Sequence, residues 1–197
     1  MKRTALGVRM HSGWGVLVAV SGDADSVEVV DRRRIVTLDM GIPGANQPFH
    51  YAAKLGLPEA ERHLATCAAV SERLALAEVE EVIRELDERH YRIVGSAVLM
   101  ASGRPLPSLA KVLASHPLIH TAEGEFFRNA ASKACELLGI SVMAIREREL
   151  AQRAEEAFGN AAGRVQSRIS SLGRSIGPPW TKDHKNAALA ASLILAR

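Results

Sequence analysis

Cysteine is nearly absent from this chain. The 197 residues hold two, Cys67 and Cys135. They lie far apart, each inside a helical pattern, and neither belongs to a metal-spacing motif. Both read as buried thiols in a reducing cytoplasm in preference to a disulfide. Aromatic residues are also scarce, at 4%, so the core must be built from small aliphatic side chains, which favours helix-rich packing. No apolar run approaches the ~20 residues of a membrane span. The run after Met1-Lys-Arg is broken by Arg9 and His11, so it does not read as a signal peptide. A cytoplasmic chain without a membrane partner is the expectation. No Walker loop, dinucleotide fingerprint, zinc motif or Ser-His-Asp order is present.

At 47% hydrophobic the chain can build a sizeable core. A formal net charge of +3 is mildly basic and permits an anionic partner without demanding one. The first forty residues read as three successive strands. Thr4 to Met10, Trp14 to Val20 and Val27 to Leu38 are rich in β-branched residues, with Ser, Gly and Asp at the turns between them. The third run is expected to end near Leu38-Asp39. Two prolines and two glycines then make a loop of Met40 to Pro48. Phe49 to Leu55 suggests a short helix stopped by Gly56. Pro58 opens a long one, to about Arg89, with Leu76, Val79, Val82, Ile83 and Leu86 at helical spacing.

Tyr91 to Met100 is nearly continuously apolar, as a central strand would be. Leu106 to Ser115 reads as helix, and Pro117 starts another that Gly139 stops. Ile140 to Ile145 is a fifth strand, and Glu147 to Phe158 is helical. Residues 159–179, rich in Gly, Ser and Arg, read as a mobile basic segment, either helix or loop. Thr181 suits the N-cap of a last, alanine-rich helix. The order βββαβαβα implies an α/β fold with a mixed five-stranded sheet flanked by helices, in one domain over 1–197.

Two segments carry a resemblance. Gly7-Val-Arg-Met-His-Ser-Gly-Trp-Gly-Val16 resembles the opening of RuvC-type resolvases, in which the first strand reads Gly-Ile-Asp-Pro-Gly and Gly-Trp-Gly follows soon after. Asp183-His-Lys-Asn-Ala-Ala-Leu-Ala190 resembles their last helix, which carries Asp-x-x-Asp-Ala. The resemblance implies a ribonuclease H-like fold. It also implies a site in which acids on strand one, strand four and the last helix hold two Mg²⁺ ions for phosphodiester hydrolysis. This sequence departs from that pattern. Arg9 stands at the strand-one aspartate, Ile93 to Met100 contains no acid, and Asn186 stands at the second aspartate of the helix. Asp183 alone remains, and one carboxylate cannot hold two magnesium ions.

Two functional expectations follow. The first is a catalytically degenerate nuclease relative that binds nucleic acid or another phosphorylated ligand. Arg9, Arg104, Arg128 and Lys182 would be its anion contacts, and the basic run through Arg164, Arg168, Arg174 and Lys185 a phosphate-contacting arm. The alternative is a divalent-metal phosphodiesterase with a rearranged site. His120, Glu123 and Asp183 would be catalytic, with Glu123 and Asp183 holding Mg²⁺ or Mn²⁺. His120 and Glu123 are three apart, so they share a helix face. The small-residue last helix suits either the sheet or a homodimer interface.

Overall fold

The computed structural model of the protein describes residues 1–101 and 105–197. Strands β1 (Lys2–Met10), β2 (Trp14–Ser21) and β3 (Glu28–Val36) form an antiparallel meander. Next come the short helix α1 (Pro48–Ala52) and the long helix α2 (Leu57–Glu88). Strand β4 (Tyr91–Met100) pairs parallel with β1. Helices α3 (Leu109–Leu113) and α4 (His116–Leu137) then lead to β5 (Val142–Arg146), parallel to β4. A 3₁₀ turn, Glu147–Glu149, precedes α5 (Leu150–Phe158), α6 (Ala162–Ser171), α7 (Gly173–Ile176) and α8 (Lys182–Leu195). The sheet order is β3-β2-β1-β4-β5, which makes β1 the central strand.

Alternation along the strands divides the core into two layers. Leu6, Val8 and Met10 of β1, with Leu17 and Val98, face Val79, Val82 and Leu86 of α2 and Phe127 and Ala131 of α4. Ala5, Val16, Val18, Ala97 and Leu99 face the opposite way, onto α8 and onto Val165 and Ile169 of α6. Ala187, Ala188, Ala190 and Ala191 are fully buried, and the helix backbone rides very close to β1. A Cβ built on Gly7 would lie 1.8 Å from the Ala187 carbonyl oxygen, so only glycine fits that crossing. The small residues of α8 therefore serve contacts within the chain, in place of the dimer interface considered from sequence.

Several boundaries differ from the sequence reading. Strand β3 ends at Val36 and not at Leu38, because its partner β2 begins at Trp14, opposite Val36. The helix expected over Leu106 to Ser115 is only α3, since Pro105 and Pro107 hold the preceding chain outside regular structure. Glu147 opens a 3₁₀ turn, and the α-helix begins at Leu150. Much of 159–179 is helical, and α6 is amphipathic, with Ala162, Val165 and Ile169 buried. Arg32 on β3 fastens its end by donating to the carbonyls of Ile176 (2.7 Å), Gly177 (2.7 Å) and Pro179 (2.6 Å). Trp180 anchors the approach to α8, its indole N–H donating to the Ile169 carbonyl (2.8 Å). Both cysteines are buried free thiols. No helix among the described residues is long and apolar enough to cross a membrane.

Candidate functional site

In open α/β sheets, ligand sites gather at the carboxyl ends of the parallel strands. Here that edge is the end of β1, the end of β4 and the start of the turn after β5. Arg9 is the penultimate residue of β1 and shares a face with Ala5 and Gly7, so its side chain is directed towards α8. Asp183 lies in the first turn of α8, where a carboxylate is favoured by the helix dipole. The two meet: Arg9 Nη1 is 3.0 Å from Asp183 Oδ1. Arg9 Nε also donates to Glu147 Oε1 (3.3 Å), and Asn186 Nδ2 donates to the same oxygen (3.0 Å). His11 Nε2 lies 2.8 Å from the other Asp183 oxygen. The guanidinium is thus held between two carboxylates, and Asn186 completes the group from one helical turn beyond Asp183.

Around this group sit further aromatic and cationic side chains. The His11 ring stacks on Trp14 with centroids 4.2 Å apart, and the Arg34 guanidinium lies over the Trp14 ring, 4.5 Å from its centroid. Arg34 and Arg32 point to the α8 side, whereas Arg33 points the other way, to Asp31 and Glu85. A cleft of about 490 Å³ runs between Trp14, the β3 arginines and the start of α8. A larger one, about 940 Å³, opens on the far side of Asp183, bordered by Glu147, Arg148, Gln166, Lys182, Lys185 and Asn186. Arg148 and Lys182 are exposed and Lys185 is half-buried, and none of the three is ion-paired among the described residues.

At the start of α8, Thr181 caps the helix together with His184. The His184 Nδ1 accepts the Thr181 backbone N–H (3.3 Å) and lies 2.8 Å from its hydroxyl. Burial pushes the His184 pKa down, and the Arg32 charge adds to that, with Asp183 opposing. The imidazole is therefore a neutral structural acceptor that fixes the helix carrying Asp183.

The other predicted residues divide between two places. Arg128 is tied to backbone, its Nε donating to the Leu99 carbonyl at the end of β4 (3.0 Å) and its Nη1 to the Gly124 carbonyl. Burial lowers its pKa, partly offset by Glu125, and the charges of Arg9 and Glu147 also reach it. It therefore borders the same edge, spending donors on the protein. Lys182 lines both clefts. Arg104 lies outside the described residues. Glu123 and His120, expected to act with Asp183, belong instead to a second group. Glu123 accepts from the His50 ring Nδ1 (2.8 Å) and from the His50 backbone N–H (3.1 Å). His120 Nε2 lies 3.0 Å from His116 Nε2. Glu123 and Asp183 thus hold different partners, because α1 docks on α4 and brings His50 to the carboxylate first.

Glu147, His50 and His116 were not singled out from sequence. The i, i+4 spacing of His116 and His120 was a readable signal. Nothing local marked His50 or Glu147, whose partners lie 73 and 138 residues away.

No family model matches the sequence, and no curated protein matches it. Among solved structures the chain is similar to T. thermophilus RuvC in complex with a Holliday junction substrate. The identity is 14% and the TM-score 0.53, over 97% of this chain and 91% of that one. A second Thermus thermophilus RuvC structure gives 14% identity and a TM-score of 0.50, over 96% and 92% of the two chains. At that identity the likeness establishes the fold: a mixed five-stranded sheet with flanking helices, arranged as in ribonuclease H-like RuvC.

Proposed function

We propose that this chain is a nucleic-acid-binding relative of the ribonuclease H-like nucleases that holds phosphate groups without two-metal hydrolysis. The observation that carries this reading is the Arg9 guanidinium lodged between Asp183 and Glu147. Magnesium ions need oxygen donors free to coordinate them. Here a permanent cation already engages both carboxylates. A divalent ion set beside it would meet repulsion of roughly 4 kcal/mol per unit charge at ~4 Å, for an effective dielectric near 20. The donor set does not fit the metal pair that the resemblance implies, so the chemistry left to this edge is recognition.

The surface supports that recognition. Arg148, Lys182 and Lys185 border one cleft, in which Glu147 is the only acid among the described residues. Trp14, stacked with His11 and Arg34, borders the neighbouring one through a flat ring system. Cationic grooves beside aromatic faces suit a phosphate backbone. One of the structures this fold resembles is bound to a Holliday junction, which makes branched DNA the first ligand to try.

Fluorescence anisotropy with labelled single-stranded, duplex and four-way-junction DNA tests the reading. Three phosphate contacts give a log–log salt slope near −2.7, so affinity falls roughly 40-fold between about 50 and 200 mM salt. Lys182→Glu with Lys185→Glu weakens binding and flattens that slope. In the same mixtures Mg²⁺ or Mn²⁺ yields no cleavage. Cleavage that is lost in Asp183→Asn, or binding indifferent to salt and to both lysines, overturns the proposal.

A further inference from the structure

Away from the Arg9 group, three imidazoles converge where α1 meets the start of α4. His116 and His120 stand one turn apart on α4, with their Nε2 atoms 3.0 Å from each other. His50, from α1, faces both, with ring centroids 5.2 Å from His116 and 4.8 Å from His120. One nitrogen from each ring can be chosen so that all three lie within 4.8 Å of one another. Unprotonated imidazole nitrogens at these positions can offer their lone pairs to one cation.

The carboxylate behind them favours a metal. Glu123 is only 6% exposed. One of its oxygens takes the His50 backbone N–H and the other takes the ring Nδ1. With its Nδ1 proton held by the carboxylate, the neutral His50 ring carries its free lone pair on Nε2. A buried carboxylate that fixes the tautomer and orientation of a histidine is the outer shell that metal-bound histidines use.

We propose that His50, His116 and His120 form a three-histidine site for a borderline d-block divalent cation of the Zn²⁺ class, with Glu123 orienting His50. Imidazole nitrogen suits Zn²⁺, whereas Mg²⁺ and Ca²⁺ require oxygen. Zn–N bonds of about 2.0–2.1 Å place tetrahedral ligands about 3.3 Å apart, so modest ring rotations close the present separations. His116 and His120 are exposed and His50 is half-buried, which leaves the fourth position to solvent or to a small ligand. The ion would clip α1 to α4 beside the edge contact of Phe49 with Phe126. The proposal is independent of the nucleic-acid reading, since it shares no residue with the Arg9 group.

The test is calorimetric titration of Zn²⁺ into the metal-free protein, with the visible spectrum of the Co²⁺ form as a second readout. One equivalent of Zn²⁺ is expected, with the intense visible bands of a four-coordinate Co²⁺ site. Glu123→Gln weakens Zn²⁺ affinity about 10–100-fold. His116→Ala and His120→Ala weaken it more than Glu123→Gln does, and both positions are exposed, so the metal-free variants keep the wild-type melting temperature. Asp183→Asn leaves the affinity unchanged. Absence of stoichiometric binding overturns the proposal. So does binding that survives His120→Ala, which would assign the ion elsewhere, such as the neighbouring His63 and Cys67 pair (3.5 Å).

Discussion

Replacing Arg9 with methionine keeps most of the apolar stem and deletes the guanidinium. Asp183 and Glu147 then lose the cation they share. The environment sets the magnitude. The Arg9, Asp183 and Glu147 side chains are 19%, 23% and 30% exposed, so the pairs are neither on the open surface nor in the core. Exposed pairs contribute about 0–1 kcal/mol, and deleting one partner of a buried pair costs about 3–5 kcal/mol. His11 still bonds to Asp183 and Asn186 to Glu147, which softens the loss. A destabilisation of roughly 2–3 kcal/mol is expected, which for a chain of this size lowers Tm by about 4–12 °C. Urea unfolding of the wild type, Arg9→Met, Asp183→Asn and the double variant gives the coupling, expected at about 1–2 kcal/mol. A second readout follows from the charge argument. With the guanidinium gone, the two carboxylates can accept a hard cation, so millimolar Mg²⁺ raises the Tm of Arg9→Met and leaves the wild type unmoved. A cost below about 0.5 kcal/mol with no coupling to Asp183 would refute the reasoning, because the guanidinium would then not be what neutralises these carboxylates.

Two further outcomes test the scaffold. Gly7→Ala puts a methyl 1.8 Å from the Ala187 oxygen and 2.6 Å from its carbon, both backbone atoms. Overpacking against yielding side chains costs about 1–3 kcal/mol, and here nothing yields, so a loss of about 3 kcal/mol or more is expected in thermal unfolding. Gly163→Ala, on α6 with open space around it, is instead neutral or stabilising by up to about 1 kcal/mol. The pH dependence follows from His184 and His63, both held below the ordinary histidine value chiefly by burial. The unfolded chain binds their protons at about 6.5, so between that pH and the lower folded values it carries more protons than the native state. Their contribution to stability is complete above about pH 6.5 and is lost as the pH falls below it. Urea midpoints at about pH 7.5 and 5.5 should show the fall, and His184→Gln should shrink it. An unchanged slope in that variant would contradict the assignment.

How far the site could be read beforehand depended on which residues met. Arg9 in place of a strand-one acid was visible in the sequence, and so was Asp183 in the first turn of the last helix. Their 3.0 Å contact was not, because it needs β1 at the centre of the sheet and α8 laid across it. Glu147 gave no sign of itself, being one acid among many until β5 ended beside β4. His120 with Glu123 was a reasonable pair by spacing, yet the carboxylate is taken by His50, carried on a five-residue helix in a proline-rich stretch.

What the sequence determined by itself was everything set by neighbours along the chain. Runs of β-branched residues with Ser, Gly and Asp between them marked a meander in the first forty residues, proline and glycine marked the loops, and 3.6-residue spacing marked α2. The run of alanines foretold a helix able to approach a sheet closely. What only the tertiary structure decided was which charges share a pocket. Ion pairs and histidine clusters act over 3–5 Å in space, while Arg9 and Glu147 stand 138 residues apart in the chain and His50 and Glu123 73 apart. Backbone preferences act within a few residues and carry no information over that separation. The packing of α8 and α1 against the sheet and its helices brings those groups together.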